Sequence, residues 1–115
     1  MTKKEDYQEK RKKLKTLSKI AKKLIEQHDY KNVNEAIIKG IYKKENPEII
    51  EFNTFNQWSK NGKIIKKGSS AFLVWGQPRA SAQVTDEVID EFTFWPVCYL
   101  FSNLQVFDKE GGNDE

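Results

Sequence analysis

The sequence has few of the residues that form covalent or metal-bound frameworks. It contains one cysteine, Cys98, and one histidine, His28, so an internal disulfide is excluded and no local cluster of metal ligands is visible. No apolar run approaches the roughly eighteen residues that a membrane span needs. Nor does a charged start lead into an apolar stretch and a cleavage site. We therefore expect a protein of the reducing cytoplasm with no membrane partner.

Motifs of enzyme active sites are also missing. Residues 67–70, Lys-Gly-Ser-Ser, lack the frame of a phosphate-binding loop, and neither HExxH nor GxSxG occurs. Asp86, Glu87, Asp90 and Glu91 have the composition of a divalent-metal cluster, but a solvated acidic loop is the more common role of such residues. We expect no enzymatic activity, no cofactor and no small-molecule substrate.

Charge is distributed unevenly along the 115 residues. The net charge is +8 over residues 1–44, +2 over residues 45–79 and −7 over residues 80–115. A basic front and an acidic back favour either a surface that faces a polyanion or two halves that attract each other. With 37% apolar and 32% charged residues, the chain is long enough for one domain with a modest core.

Helical periodicity dominates the first part of the chain. Apolar residues and one histidine recur at the spacing of a single helix face at Leu14, Leu17, Ile20, Ala21, Leu24, Ile25 and His28. We expect residues 1–13 to be a flexible basic arm or a frayed helix start. The lysines beside the stripe could lie on a membrane, on nucleic acid or on the domain itself, and packing on the domain is the preferred interpretation. Asn32 and Glu35 have the spacing of a capping box and predict a second helix to about Lys44, in which Gly40 is explained by close helix packing.

Residues 52–76 are rich in aromatic residues, lysine and glycine. Thr54 and Gln57 predict a capped helix over residues 55–60, which Gly62 ends in the left-handed region. Residues 63–66 and 71–75 are expected to form the two strands of a hairpin around the turn 67–70.

The last third of the chain mixes acidic and β-prone segments. Residues 79–91 are predicted to be an extended loop and residues 108–115 a disordered acidic tail. Residues 92–101 are the longest β-prone run, and Pro96 within it predicts an edge strand or a bulge. Together these patterns predict one α+β domain over residues 14–107, with N-terminal helices packed on a small, mostly antiparallel sheet.

Basic and aromatic residues together are typical of proteins that bind single-stranded nucleic acid. Lysines neutralise phosphates and release counterions, and aromatic faces stack on bases. Any one of the aromatic residues could instead lie in the core. The lysines of the turns, which are expected to be exposed, are therefore the better candidates. The residues predicted to bind nucleic acid are Phe55, Gln57, Trp58, Lys60, Lys63, Lys66, Lys67, Ser69, Ser70 and Trp75.

Three motifs in this stretch form a familiar pattern: Phe52-x-Thr54-Phe55-x-Gln57, Gly62-x-Ile64-x-Lys66-Lys67-Gly68 and Phe72-Leu73-Val74-Trp75. The pattern resembles the N-terminal domain of ArdC-type antirestriction proteins over about residues 52–105. The resemblance implies an α+β domain that binds single-stranded DNA on plasmids or conjugative elements, in antirestriction or DNA transfer. Other proteins of such an element are implied as further partners. The family's protease chemistry is not implied for this chain.

A second hypothesis assigns function to the acidic C-terminal half. That half could imitate the charge of DNA or act as an adaptor, so that the chain would be a protein-interaction module. Neutralising the acidic loop would then abolish partner binding and leave DNA binding intact.

Overall fold

A long N-terminal helix, α1, spans Lys3–Gln27 and is the first element of this computed structural model, which describes residues 2–78 and 90–109. The remaining elements, in chain order, are the helix α2 (Val33–Ile37), a π-helical turn (Ile38–Tyr42), the helix α3 (Lys43–Glu45), the strand β1 (Phe52–Asn53), the helix α4 (Phe55–Lys60), the strands β2 (Lys63–Ile65), β3 (Phe72–Trp75) and β4 (Val97–Ser102), a 3₁₀ turn (Asn103–Gln105) and the strand β5 (Val106–Asp108). Helices combined with small antiparallel sheets confirm the predicted α+β class.

The start of α1 differs from the sequence-based prediction. Regular helix begins at Lys3 instead of near residue 14, because Thr2 and Glu5 form a reciprocal capping box. The Glu5 N–H donates to Thr2 Oγ1 at 3.1 Å, and the Thr2 N–H donates to the Glu5 carboxylate at 2.9 Å. This contact with the helix start lowers the pKa of the Glu5 carboxyl.

A charged residue anchors this early part of α1 to the domain. Arg11 is only 3% exposed, and its guanidinium donates to the carbonyls of Trp95 at 2.5 Å and Phe92 at 2.8 Å. The same group lies 5.2 Å from the ring centroid of Trp75. The apolar periodicity did not predict the first three turns of α1, because the residue that attaches them to the domain is an arginine.

The buried face of α1 is also rotated from the predicted stripe. Leu14 and Ala21 are fully buried, but Ile20 is 46% exposed and Ser18 takes a buried position. The Ser18 hydroxyl accepts a hydrogen bond from the indole N–H of Trp75 at 2.8 Å. A polar residue therefore lies in the core because its partner is there as well.

The second helical segment starts where the capping pattern predicted. The Asn32 side chain accepts from the Glu35 N–H at 2.8 Å and caps α2. Gly40 lies in the π-helical turn, where a Cβ atom would be 2.8 Å from Leu24 Cδ1 of α1. Close approach of the two helical segments explains the glycine, as expected.

The larger sheet has three antiparallel strands in the order β1-β4-β3. Trp75 is opposite Val97 at one end of β3–β4, and Phe52 is opposite Ser102 at the other end of β4. The prediction of an edge strand or a bulge at Pro96 was wrong, since β4 begins after Pro96 and is the central strand. Residues 91–94 form a turn and precede the strand.

Side chains cover the outer edge of β3. The Asn34 amide donates to the Trp75 carbonyl at 2.8 Å and accepts from the Trp75 N–H at 2.9 Å. The Tyr42 hydroxyl donates to the Leu73 carbonyl at 2.7 Å. These groups occupy hydrogen-bonding positions that an added strand would need.

A predicted hairpin is absent from the fold. β2 and β3 were expected to pair across the turn 67–70, but β2 pairs with β5 in a separate two-stranded sheet, and β3 pairs with β4. Asp108 therefore belongs to a strand and not to the predicted tail, of which residues 110–115 lie outside the described residues. The predicted loop 79–91 is described only from Asp90 onward.

Candidate nucleic-acid interface

A capped short helix leads into the candidate interface. The Gln57 N–H donates to Thr54 Oγ1 at 3.2 Å, and the Thr54 N–H donates to Gln57 Oε1 at 2.8 Å, which confirms the predicted capping box of α4. Gly62 follows the helix with φ of 77°, the left-handed conformation that glycine adopts without strain. The chain can therefore reverse directly into β2.

The sheet β2–β5, together with the residues that flank it, is called the basic ribbon below and comprises residues 60–70 and 105–109. Its hydrogen-bond ladder continues beyond the strands, because the Lys66 N–H donates to the Gln105 carbonyl and the Lys109 N–H to the Gly62 carbonyl, both at 2.7 Å. The Gln105 side chain also donates to the Ser70 carbonyl at 2.7 Å. Backbone contacts thus hold the turn 66–70 against the C-terminal strand.

Positive charge on the basic ribbon is mostly uncompensated. Lys60, Lys66, Lys67 and Lys109 are exposed, and within residues 2–78 and 90–109 no ion pair involves any of them. Lys63 differs, because its ammonium pairs with the Asp108 carboxylate. The lysines free to meet phosphates are therefore those of the turn and of the ribbon's ends.

The two tryptophans predicted to stack on bases lie in the interior, so that part of the prediction was wrong. Trp58 and Trp75 are each 3% exposed. The Trp58 indole N–H donates to the Phe101 carbonyl at 2.8 Å. The Trp75 ring stacks on Phe92, with 4.6 Å between centroids and 3° between planes. Both residues are buried aromatics with hydrogen-bonded indole groups, and neither is exposed enough for a base to stack on its ring.

The remaining predicted residues divide between exposed and structural positions. Phe55 is 59% exposed at the first turn of α4. Gln57 is exposed, but its side-chain oxygen is engaged in the cap. The Ser69 N–H donates to the Lys66 carbonyl at 3.2 Å and closes the turn. Ser70 is exposed beside it.

Sequence reasoning missed two residues of the basic ribbon. Phe107 was not among the candidate residues and Lys109 was assigned to the disordered tail, but pairing with β2 brings both beside the predicted lysines. No local pattern signals this pairing, since Ile64 and its partner Phe107 are more than forty residues apart.

The lysines of α1 form a basic area away from the ribbon. Lys12, Lys19 and Lys23 are exposed and lie along one side of the helix, because their spacings of seven and four residues are close to whole turns. Tyr7 of α1 contacts the start of β4, where the Val97 N–H donates to its hydroxyl at 3.2 Å. The ribbon follows the opposite end of β4, about 17 Å along the strand from Val97.

Acidic residues described in the C-terminal half pair with lysines from elsewhere in the chain. Asp90 lies 3.0 Å from Lys15, and Glu91 pairs with Lys22. Asp86 and Glu87 of the same predicted acidic loop lie outside the described residues. In the described ranges, no group of three or more histidine, cysteine or acidic side chains could hold a metal ion.

A cavity of about 790 Å³ opens between α1, the start of α2 and the end of β3. Trp75, Phe92 and Trp95 contribute aromatic surface to it, and Cys98 lies on its wall. Burial raises the pKa of the Cys98 thiol, which is opposite to the shift that activates a nucleophilic cysteine.

No family model, curated protein or solved structure matches this chain. The resemblance to the ArdC-type N-terminal domain therefore remains a prediction that its three motifs carry. Of the helices in the described ranges, none combines the length and the apolar character that a bilayer-spanning segment requires.

Proposed function

We propose that the protein binds single-stranded DNA through the basic ribbon, in an antirestriction or DNA-transfer role on a mobile genetic element. The observation that supports this most directly is the local charge. Residues 60–70 and 105–109 carry five lysines and one carboxylate, and that carboxylate pairs with Lys63. Four lysines are left for a polyanion on a surface of fixed shape.

The arrangement of these lysines suits a phosphate backbone. Lysines on exposed turns neutralise phosphates and release condensed counterions, and this release supplies most of the sequence-independent affinity. Four phosphate contacts on a single strand correspond to a slope of about −3 in log affinity against log salt. Between 50 and 200 mM salt, affinity is then expected to fall by about sixty-fold.

The backbone of the ribbon supports the proposal, because the contacts that hold the turn in place do not involve the lysine side chains. Gly62 and Gly68 adopt positive φ angles of 77° and 85°, and Gln105 binds the turn through its carbonyl and its side chain. A turn held by backbone contacts loses less conformational freedom on binding than a free loop.

The alternative, a protein-interaction module that acts through acidic charge, has less support among the described residues. Asp90, Glu91 and Asp108 each pair with a lysine of the same chain. Intramolecular pairing favours the earlier interpretation that the basic and acidic halves attract each other. These three carboxylates are then unavailable for imitating DNA.

A salt-series titration tests the proposal. A labelled single strand of about fifteen nucleotides is titrated by fluorescence anisotropy with the wild type and with the double variant Lys66→Glu, Lys67→Glu. We expect the double variant to lose at least about tenfold in affinity and to show a shallower salt slope. The matched control is Lys31→Glu with Lys44→Glu, which makes the same charge change at exposed helical-layer positions.

Two outcomes would contradict the proposal. One is an equal loss for the ribbon variant and its control, which would mean that only total charge matters. The other is weak, equal binding of DNA and heparin that neither variant changes. Neutralising Asp90 and Glu91 separates the alternative, since an interaction module would lose its protein partner while DNA binding stayed intact.

A further inference from the structure

The two faces of the basic ribbon differ in chemistry. Hydrogen bonds link Gly62 to Lys109 and Lys66 to Gln105 at the ladder's ends, and Ile64 is opposite Phe107 between them. Opposed residues of an antiparallel pair point to the same side, and alternate residues along a strand share a face. One face therefore carries Ile64 with Phe107, Lys66 with Gln105, and Gly62 with Lys109; it is called the Phe107 face below.

The opposite face is nearly neutral. It carries the Lys63–Asp108 ion pair and the neighbouring side chains of Ile65 and Val106. Two of the four uncompensated lysines, Lys66 and Lys109, and the aromatic ring of Phe107 are thus on the Phe107 face.

Apolar residues on the Phe107 face are partly open to solvent. Ile64 is 38% exposed, Phe107 is half-buried, and neither packs against the main hydrophobic core. Gly62 has no side chain beside Lys109. Ile64 and Phe107 therefore form a shallow apolar surface, with Lys66 at one end and Lys109 at the other.

The length of this apolar surface matches a short segment of nucleic acid. Gly62, which marks the level of Lys109, is four residues from Lys66, or about 14 Å along a strand. This length matches about four stacked nucleotides at 3.4 Å each, and fewer nucleotides of a stretched strand. An aromatic ring between two cations is the combination that holds unpaired bases and their phosphates together.

We infer that the Phe107 face is a base-stacking platform, on which an unpaired base lies against Phe107 and Ile64 while Lys66 and Lys109 neutralise the adjoining phosphates. The inference rests on the proposed function and specifies its ligand. Stacked and paired bases in a duplex do not present their faces to a protein side chain, so this surface selects single strands. It also replaces Trp58 and Trp75 as the source of aromatic contact.

The test compares Phe107→Leu with the wild type on a labelled twelve-nucleotide oligothymidine and on a duplex of the same length. Leucine keeps an apolar side chain at the position and removes the ring. We expect single-strand affinity to fall about five- to a hundredfold, while duplex affinity stays within about twofold. Phe94→Leu is the matched control, because Phe94 is a phenylalanine that is 41% exposed and lies outside the ribbon, in the turn before β4.

A second variant keeps the test decisive if leucine weakens the ribbon. Phe107→Trp retains a stacking ring, so we expect wild-type or tighter binding and a quenching of tryptophan emission beyond that of the wild type when oligothymidine is added. Salt-dependent single-strand binding by the wild type, with no loss in Phe107→Leu or no added quenching in Phe107→Trp, would overturn the platform and leave the proposed function standing. Absence of single-strand binding by the wild type would overturn the proposed function itself.

Discussion

Asn34 and Trp75 exchange two hydrogen bonds, of 2.8 and 2.9 Å, between a side-chain amide and one residue's backbone. This is the pairing that a neighbouring strand would make with Trp75, supplied here by a residue of α2. The contact closes the edge of β3 and attaches the helical layer to the sheet.

Replacement of Asn34 is therefore expected to destabilise the fold and open a sheet edge. Asn34→Ala leaves the Trp75 N–H and carbonyl without hydrogen-bond partners. We expect this to lower the free energy of unfolding by about 1–3 kcal/mol. Urea denaturation measures the loss, and light scattering during refolding reports edge-to-edge association. Asn56→Ala, at an exposed position of α4, is the control. Equal stability of the two variants would contradict the role of Asn34.

Arg11 is predicted to be more important for stability than its charge suggests. Arg11→Met keeps the length of the side chain but leaves the carbonyls of Phe92 and Trp95 without their donor. We expect the free energy of unfolding to fall by about 2–4 kcal/mol, as measured by thermal or urea unfolding. Lys12→Met, one residue along on the exposed side, should change stability by less than about 0.5 kcal/mol. A small effect at position 11 would show that water replaces the guanidinium.

Tyr42 predicts a loss of stability at alkaline pH. Burial raises the pKa of its phenol to about 12 from the usual 10. The folded state then holds the proton more tightly than the unfolded state. The stabilisation that the neutral phenol provides is complete below about pH 10. It is lost between pH 10 and 12, at about 1.4 kcal/mol per pH unit.

Comparison of the wild type with Tyr42→Phe isolates this effect, because both proteins share every other titrating group. The variant should be about 1 kcal/mol less stable at pH 8, since the hydrogen bond is lost. The difference between the two proteins should shrink as pH rises through 11. Parallel stability curves from pH 8 to 11 would exclude a buried, neutral Tyr42.

Gly62 provides a test of the ribbon's geometry. A Cβ atom at this position would meet no other atom within 4 Å, so any effect of Gly62→Ala comes from the positive φ of 77°. We expect a loss of about 1 kcal/mol in unfolding free energy, or a shift of the turn that weakens single-strand binding. Gly62→Asn, which tolerates this region better, should recover part of the loss. Ser59→Ala, at an exposed position of α4, is the control.

Sequence patterns predicted what depends on neighbours in the chain. The caps at Asn32 and Thr54 and the left-handed Gly62 each require only a few adjacent residues, and all were confirmed. The close approach at Gly40 was also confirmed. These features are decided by backbone hydrogen bonding and sterics within one or two turns.

What the sequence could not provide depends on distant partners. The core position of Arg11 follows from carbonyls that are more than eighty residues away. The pairing of β2 with β5 placed Phe107 beside the lysines, where a hairpin with β3 had been expected. Trp58 and Trp75 also depend on distant residues, because each indole N–H donates to a segment that is remote in the sequence. Composition alone cannot distinguish such a tryptophan from an exposed one.

The pairing of β2 with β5 also determines when the basic ribbon can exist. Lys63 pairs with Asp108, so a ribosome must add about forty-five more residues after β2 before its partner strand is made, which takes several seconds at about 5–20 residues per second. The helices and the strand β3 are made before then, but β4, which supplies Val97 and Leu100 to the main core, ends at Ser102, only six residues before Asp108. The main core and the basic ribbon are therefore both completed by the last strands to be synthesised.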